Sequence, residues 1–350
     1  MKIAAGTGEE QADLTAAPGW SGISVSREHL ANRARAITAD AIRGENSGLL
    51  MLIMALIVAI FAIVLRETSF LGVSNMVSIV GTTTSITVMA VATVFVLCCG
   101  EIDLSFAAVV AVSGYIAALL IGHGIVLASV AALLFGAAVG WINGMVTMKF
   151  RIPSFVVTLG SMGILQGVAA GMTGSATLTV SDQTFLNFYG QGNIGPIPIL
   201  MAWSLAAVIV GGVILNYTSV GRHVLATGAN VDAARYSGIR TGRVKVGVLT
   251  ASGVAGALAG LLYVGQYTAA TYSLGSTDLL TVLAAVIIGG TALTGGKGSV
   301  VGALIGSFLL GLLNNALVII GLAAPGVLIA RGAIIVFAVI LSSRGSRRRR

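Results

Sequence analysis

The chain has 350 residues, of which 56% are hydrophobic and 9% charged, with a formal net charge of +8. A soluble domain carries about 25% charged residues, so the composition excludes a soluble enzyme or soluble binding domain and describes a membrane protein. The 47 glycines fit the same class, because glycine is frequent in membrane helices and lets backbones approach closely.

Residues 1–48 have no continuous apolar core with a cleavage motif, so no removable signal peptide is expected. Within this tail, Arg27–Arg43 suits either a basic helix on the membrane surface or a solvated segment. Spans of roughly 20 apolar residues cross a bilayer. Ten candidates follow, at about 49–65, 75–98, 104–122, 125–148, 155–173, 198–216, 246–268, 279–294, 299–320 and 326–342. The fold class expected is therefore an all-α polytopic membrane protein of about ten transmembrane helices. An even count puts both termini on one side. With both in the cytoplasm, every Lys and Arg except Arg66 and Arg331 falls on the cytoplasmic side, as the positive-inside rule requires. The positive charge is thus a topology signal, and no nucleic-acid partner is expected. The organisation is a tail over 1–48, a transmembrane domain over 49–342 containing a polar loop at 217–245, and a basic tail over 343–350.

Along the second span, Cys98 and Cys99 are adjacent within an apolar run. With no CxxC and no spaced histidines, they predict neither a metal nor a redox site. Glu101 and Asp103 follow at the inner end of that span. Intramembrane carboxylates are expensive and usually functional, but Asp103 precedes Leu104-Ser105-Phe106 and also suits a helix cap. Gly136/Gly140/Gly144, Gly163/Gly167/Gly171, Gly256/Gly260 and Gly302/Gly306 are small-xxx-small pairs that support close helix crossing. Pro153 marks entry into a span. The outer loop 175–198 contains Gly190–Gly195, which matches GxGxxG by letter but follows no strand and opens no βα unit, so it is no dinucleotide site.

Asp278, at the expected outer edge of a span, suits a helix cap or an outer gate. Asn314 and Asn315 lie in mid-span, where buried amides either bond across helices or line a polar path. Arg331 suits snorkelling to the outer headgroups or pairing with an acid such as Asp278. The turn around Lys297 falls short of a nucleotide loop, because its spacing is off and Gly298 stands where Ser or Thr would hold Mg²⁺. The segments 97–114 and 287–306 echo one another as span, Gly-containing break and Gly/Ala-rich span. No nucleophile–base pair occurs, so no catalytic residues are assigned. The chain is read as not an enzyme.

The polar segment 221–245 is left to explain. It carries Arg222, Arg235, Arg240, Arg243 and Lys245 but no chemistry, which predicts a contact surface. Asn230 caps a short helix, with Asp232 in its first turn near the positive dipole end. Ala233 and Ala234 favour helix, and Gly238 stops it. Two turns are too short to stand alone in water, so the element needs a surface.

Residues 217–252 resemble the loop after the sixth span in the permease subunits of bacterial ABC importers of the ribose/xylose/galactose type. The resemblance continues through 282–317, through 142–167 and through GEIDLS at 100–105, where that family usually reads GGIDLS. It covers about residues 50–342. It implies a bacterial inner-membrane permease, present as two copies and bound to cytoplasmic ATP-binding subunits and a periplasmic sugar-binding protein. ATP and Mg²⁺ would be held by the partner subunit and no cofactor by this chain. The resemblance places the coupling helix on Ala229–Ile239, giving Ala229, Asn230, Asp232, Ala233, Ala234, Arg235, Ser237, Gly238 and Ile239 as the contact to the ATPase. Glu101, Asp103, Asp278, Asn314 and Asn315 are the candidates for the translocation path. Glu101 in place of Gly, Phe106-Ala107 in place of Val-Gly and Asp278 in place of Glu depart from the family pattern. A proton-coupled secondary transporter leaning on Glu101, Asp103 and Asp278 is the rival reading, followed by a membrane scaffold.

Overall fold

The computed structural model describes residues 47–336 apart from 67, 69, 324 and 335. Both tails, including the surface helix considered over 27–43, lie outside the described residues, as does the last part of the tenth expected span. In lipid every backbone N–H and C=O must be satisfied internally, and the apolar runs respond by forming helices. In chain order these are α1 (Ser47–Val64), α2 (Val73–Cys98), α3 (Phe106–Leu120, prolonged by a 3₁₀ turn to His123), α4 (Ile125–Phe150) and α5 (Ser154–Met172). After the loop come a short α6 (Gln183–Leu186), α7 (Ile199–Tyr217), α8 (Ser219–Ala229), α9 (Val231–Tyr236), α10 (Thr241–Tyr267), α11 (Asp278–Ile288) and α12 (Val300–Ile319). A final apolar helix, α13, covers Pro325–Ile334.

Among the described residues seven helices are long and apolar enough to cross a membrane, namely α2, α3 with its extension, α4, α5, α7, α10 and α12. The other three expected spans carry shorter apolar helices among the described residues: Ala55–Val64 within α1, Asp278–Ile288 and Pro325–Ile334. The expectation for 279–294 is corrected most. At 1.5 Å per residue, the 11 residues of α11 run about 16 Å, roughly half of the ~30 Å hydrocarbon core. Gly289 and Gly290 break that helix where hydropathy alone continued it.

Helix contacts follow the glycines. Gly136, Gly140 and Gly144 of α4 lie against Gly253, Leu249 and Val246 of α10, so closely that a Cβ at any of them would overlap α10 backbone. Gly256 and Gly260 of α10 in turn meet Phe106 and Val110 of α3, and Gly302 and Gly306 of α12 meet Gly289 and Ala285 of α11. Gly163, Gly167 and Gly171 of α5 meet nothing within 4 Å, so that set of glycines packs no helix of this copy among the described residues. Accordingly 72% of the α2 window is buried but only 17% of the α5 window. The centre of the bundle is α2 and α10; α5 and α7 form its apolar outside.

The antiparallel α4–α10 contact brings Phe150 and Thr241 to one end. The turns after α2 and α11 reach that same end, because the Gly296 N–H donates to the Cys98 carbonyl at 2.9 Å. Lys149, Arg151, Arg222, Arg235, Arg240, Arg243, Lys245 and Lys297 therefore share one end of the bundle, whereas Arg331 lies toward the other. At the far end two-residue strands pair Leu178–Thr179 with Ala269–Ala270 and Asn193–Ile194 with Ile197–Pro198. The GxGxxG letters fall here, with Gly190 pressed on the Gly265 backbone. They serve helix packing.

Candidate functional site

Two places gather the polar residues: the turns at the basic end and a cavity higher in the bundle. The turns begin with matched helix stops. After α2, Gly100 takes φ +78° and the Gly100 and Glu101 N–H groups donate to the Leu97 and Val96 carbonyls at 2.9 and 3.0 Å. After α11, Gly290 takes φ +91° and Gly290 and Thr291 donate to Ile287 and Val286 at 3.0 and 3.1 Å. Only a residue free of a Cβ adopts this left-handed cap cheaply. The echo between 97–114 and 287–306 is thus a shared cap geometry, and the two turns bond directly to each other.

Glu101 is buried and forms an ion pair with Lys245 at 2.5 Å, with side-chain exposures of 8% and 17%. Asp103 is also buried, and its Oδ1 accepts from the Ser105 N–H at 2.8 Å and the Ser105 hydroxyl at 2.6 Å. Burial pushes its carboxyl above the ordinary value, while the Ser105 and Ser252 hydroxyls and two backbone amides hold it back. Ser105 Oγ accepts from Asn143 Nδ2 at 2.9 Å, and Asn143 Oδ1 accepts from the Ser161 hydroxyl. The Ile102 N–H donates to Ser154 Oγ at 3.0 Å. These bonds clamp the turn to α4, α5 and α10. Asn143, Ser154 and Ser161 were invisible as a set in the sequence, since each is an isolated polar residue in its own span.

Beside this hub lie α8 and α9. The helix α8 was not expected from hydropathy; its amphipathic pattern buries Gly221, Val224 and Thr227 inside what reads as a polar loop. Gly228 contacts the Cys98 carbonyl and Gly296 so closely that a Cβ would overlap both. Ala229 lies on Gly296. In α9 the Asn230 side chain accepts from the Asp232 and Ala233 N–H groups, both at 3.0 Å, and Gly238 takes φ +83°. Ala234 is buried against the bundle, whereas Tyr236 is 93% exposed. Ser237 donates to the Ala233 carbonyl at 3.0 Å, and Ile239 N–H closes the turn on Ala234. The Arg235–Asp232 pair at 3.7 Å is exposed and contributes little.

The second place is a cavity of about 220 Å³ between α2, α10, α11, α12 and α13. It contains Asp278 and Asn314 of the candidate path residues, but not Glu101, Asp103 or Asn315. Asp278 begins α11 but does not cap it, since the N-cap is Thr277, which makes no side-chain cap bond. Its Oδ2 accepts from the Tyr263 hydroxyl at 2.6 Å. Arg331 does not snorkel: it donates to Asn314 Oδ1 at 2.8 Å and to the Thr277 carbonyl at 3.3 Å. Asn315 turns the other way and exchanges two amide hydrogen bonds with Asn75 of α2 at 2.9 and 3.0 Å. Adjacent asparagines thus divide between helix pairing and cavity lining.

Among the described residues no group of three His, Cys, Asp or Glu side chains is placed to hold a metal ion. Residues 75–339 match the family described as branched-chain amino acid transport system/permease component. The chain belongs to that family. It is 32% identical over 300 residues to the ribose import permease of Escherichia coli K12, covering 83% of this chain and 92% of that one. It is 34% identical over 293 residues to the ribose import permease of Haemophilus influenzae, with 82% and 90% covered. To the L-arabinose ABC transporter permease of Azospirillum brasilense it is 31% identical over 303 residues, with 85% and 88% covered. No solved structure matches. This permease is a multi-pass protein of the bacterial inner membrane.

Proposed function

We propose that the permease is the transmembrane subunit of a binding-protein-dependent ABC importer that carries a sugar or sugar-like neutral solute into the cytoplasm. The observation that carries this is similarity over more than four-fifths of the chain to permeases named for ribose and arabinose. The basic end is cytoplasmic, by the positive-inside rule. There a cytoplasmic ATP-binding subunit docks on Ala229–Ile239 and itself holds ATP and Mg²⁺, and a periplasmic sugar-binding protein docks at the opposite end. Two copies of the permease form the membrane unit. Movement of α9 reaches both inner turns through the end of α8, because Gly228 and Ala229 rest on Cys98 and Gly296, so ATP-driven closure below alternates access above.

The test is Ala234→Pro. The Ala234 N–H donates to the Asn230 carbonyl at 3.0 Å; proline removes that bond and clashes with the preceding turn, a change worth about 3 kcal/mol or more in a helix interior. Co-purification with the ATP-binding subunit and ATP-dependent uptake should both be lost while membrane insertion stays normal. Normal uptake in this variant would refute the coupling role.

A further inference from the structure

We infer that the cavity holding Asp278, Asn314 and Arg331 is a solute subsite for a neutral polyhydroxylated molecule no larger than a monosaccharide. The inference rests on the transport reading above and assigns part of the route.

Four observations carry it. The walls are polar inside an apolar bundle, where uncompensated polar groups are costly and uncommon. The charges facing the space are one carboxylate, Asp278, and one guanidinium, Arg331, so the site offers an acceptor and donors with no net charge to select an ion. Thr281 is 4% exposed, and among the described residues its hydroxyl, like those of Ser85, Ser113, Thr147 and Thr227, has no hydrogen-bond partner. Of these five hydroxyls Thr281 alone lines the cavity, where a solute hydroxyl would satisfy it. Finally, Tyr263 and Tyr267 are stacked, with ring centroids 5.7 Å apart and an interplanar angle of 11°, and both contribute to the wall. Such rings supply an apolar face beside polar tips, matching the C–H face and hydroxyl rim of a sugar ring.

Size and strength agree with passage. At about 220 Å³ the space is smaller than the ~300–1,000 Å³ of pockets for drug-sized ligands, so it admits one small ring and excludes an oligosaccharide. Much of the hydrogen-bonding capacity is already committed within the wall: Asp278 Oδ2 to Tyr263 and Asn314 Oδ1 to Arg331. A solute finds the Asn314 amide N–H groups and the Thr281 hydroxyl, enough to orient it without trapping it. The exposed edge at Thr82 and Thr277 gives it an entrance.

The experiment uses the whole transporter, the permease with its own ATP-binding subunit and binding protein, in proteoliposomes. Radiolabelled D-ribose, L-arabinose and D-allose are the probes. Thr281→Val keeps the shape of the side chain and Asn314→Leu nearly so. Each should lower uptake of the carried sugar about tenfold, the loss of one hydrogen bond. ATP hydrolysis stimulated by the loaded binding protein should stay within about twofold of the parent. In Thr281→Val the preference for the sugar over its singly deoxygenated analogues should also shrink toward equality. Unchanged uptake and preference in both variants would remove the cavity from the route. Uptake and stimulated hydrolysis falling together, with preference retained, would make the cluster a packing device and overturn the subsite alone. Failure of the parent transporter to take up any of the three sugars on ATP would overturn the sugar reading and the subsite with it.

Discussion

Gly228→Ala is expected to destabilise the permease and abolish uptake, although alanine is the better helix former. Gly228 lies in α8 with helical backbone, where alanine gains about 1 kcal/mol in helix propensity. The new methyl group, however, would overlap the Cys98 carbonyl and come within 2.8 Å of the Gly296 nitrogen. These are backbone atoms and cannot rotate away. Overpacking costs about 1–3 kcal/mol, and displacing Gly296 also weakens its hydrogen bond to Cys98, worth about 1 kcal/mol. The steric effect therefore wins. It does so at the place where the α8–α9 segment touches both inner turns, so transmission should fail even in molecules that remain folded. Thermal unfolding in detergent and ATP-dependent uptake measure the two effects. Gly160→Ala is the control, since a Cβ at Gly160 meets nothing within 4 Å. A Gly228→Ala protein as stable and active as the Gly160→Ala one would show that the three turns are not in firm contact.

The second large effect is expected at Lys245. Lys245→Met leaves Glu101 at 8% side-chain exposure without its cation. Removing one partner of a buried pair costs about 3–5 kcal/mol, whereas replacing both is often close to neutral. Lys245→Met should therefore lower the midpoint of unfolding sharply, and Glu101→Gln combined with Lys245→Met should recover most of the loss. Unfolding of the two single variants and the double variant in one detergent gives the coupling energy directly. Additive effects would mean that the pair is not formed. The pair also accounts for a carboxylate being tolerated at this buried turn, because Lys245 arrives from α10 to meet it.

The local devices were legible. Asn230 as a cap, Gly238 as a stop and the two-turn helix between them need only a few adjacent residues, and the structure has them where the spacing predicts. Element ends governed by glycine in apolar surroundings were not legible: residues 289–294 read as a continuing span, yet Gly289 and Gly290 end α11 early. Nor was α8, whose buried face is narrow and set among basic residues. The cavity was half visible. Asp278 and Asn314 stood out as polar residues in apolar spans, but so did Asn315 and Asp103, which serve packing and the inner turn.

By itself the sequence determined the membrane class, the apolar spans, the asymmetry of positive charge and the short capped helix. Each follows from hydropathy or from hydrogen bonds closed within one turn. Only the tertiary structure decided that Glu101 meets Lys245, that Asn314 and Asn315 part company, that Arg331 bonds Asn314, and that Asp278 accepts from Tyr263 in a cavity it shares with Thr281. The reason is physical. In lipid an apolar face gains nothing by choosing protein over acyl chains, so helix pairing rests on close glycine contacts and interhelical hydrogen bonds. Those depend on which helices meet, and at what height, and neither is written in any one span.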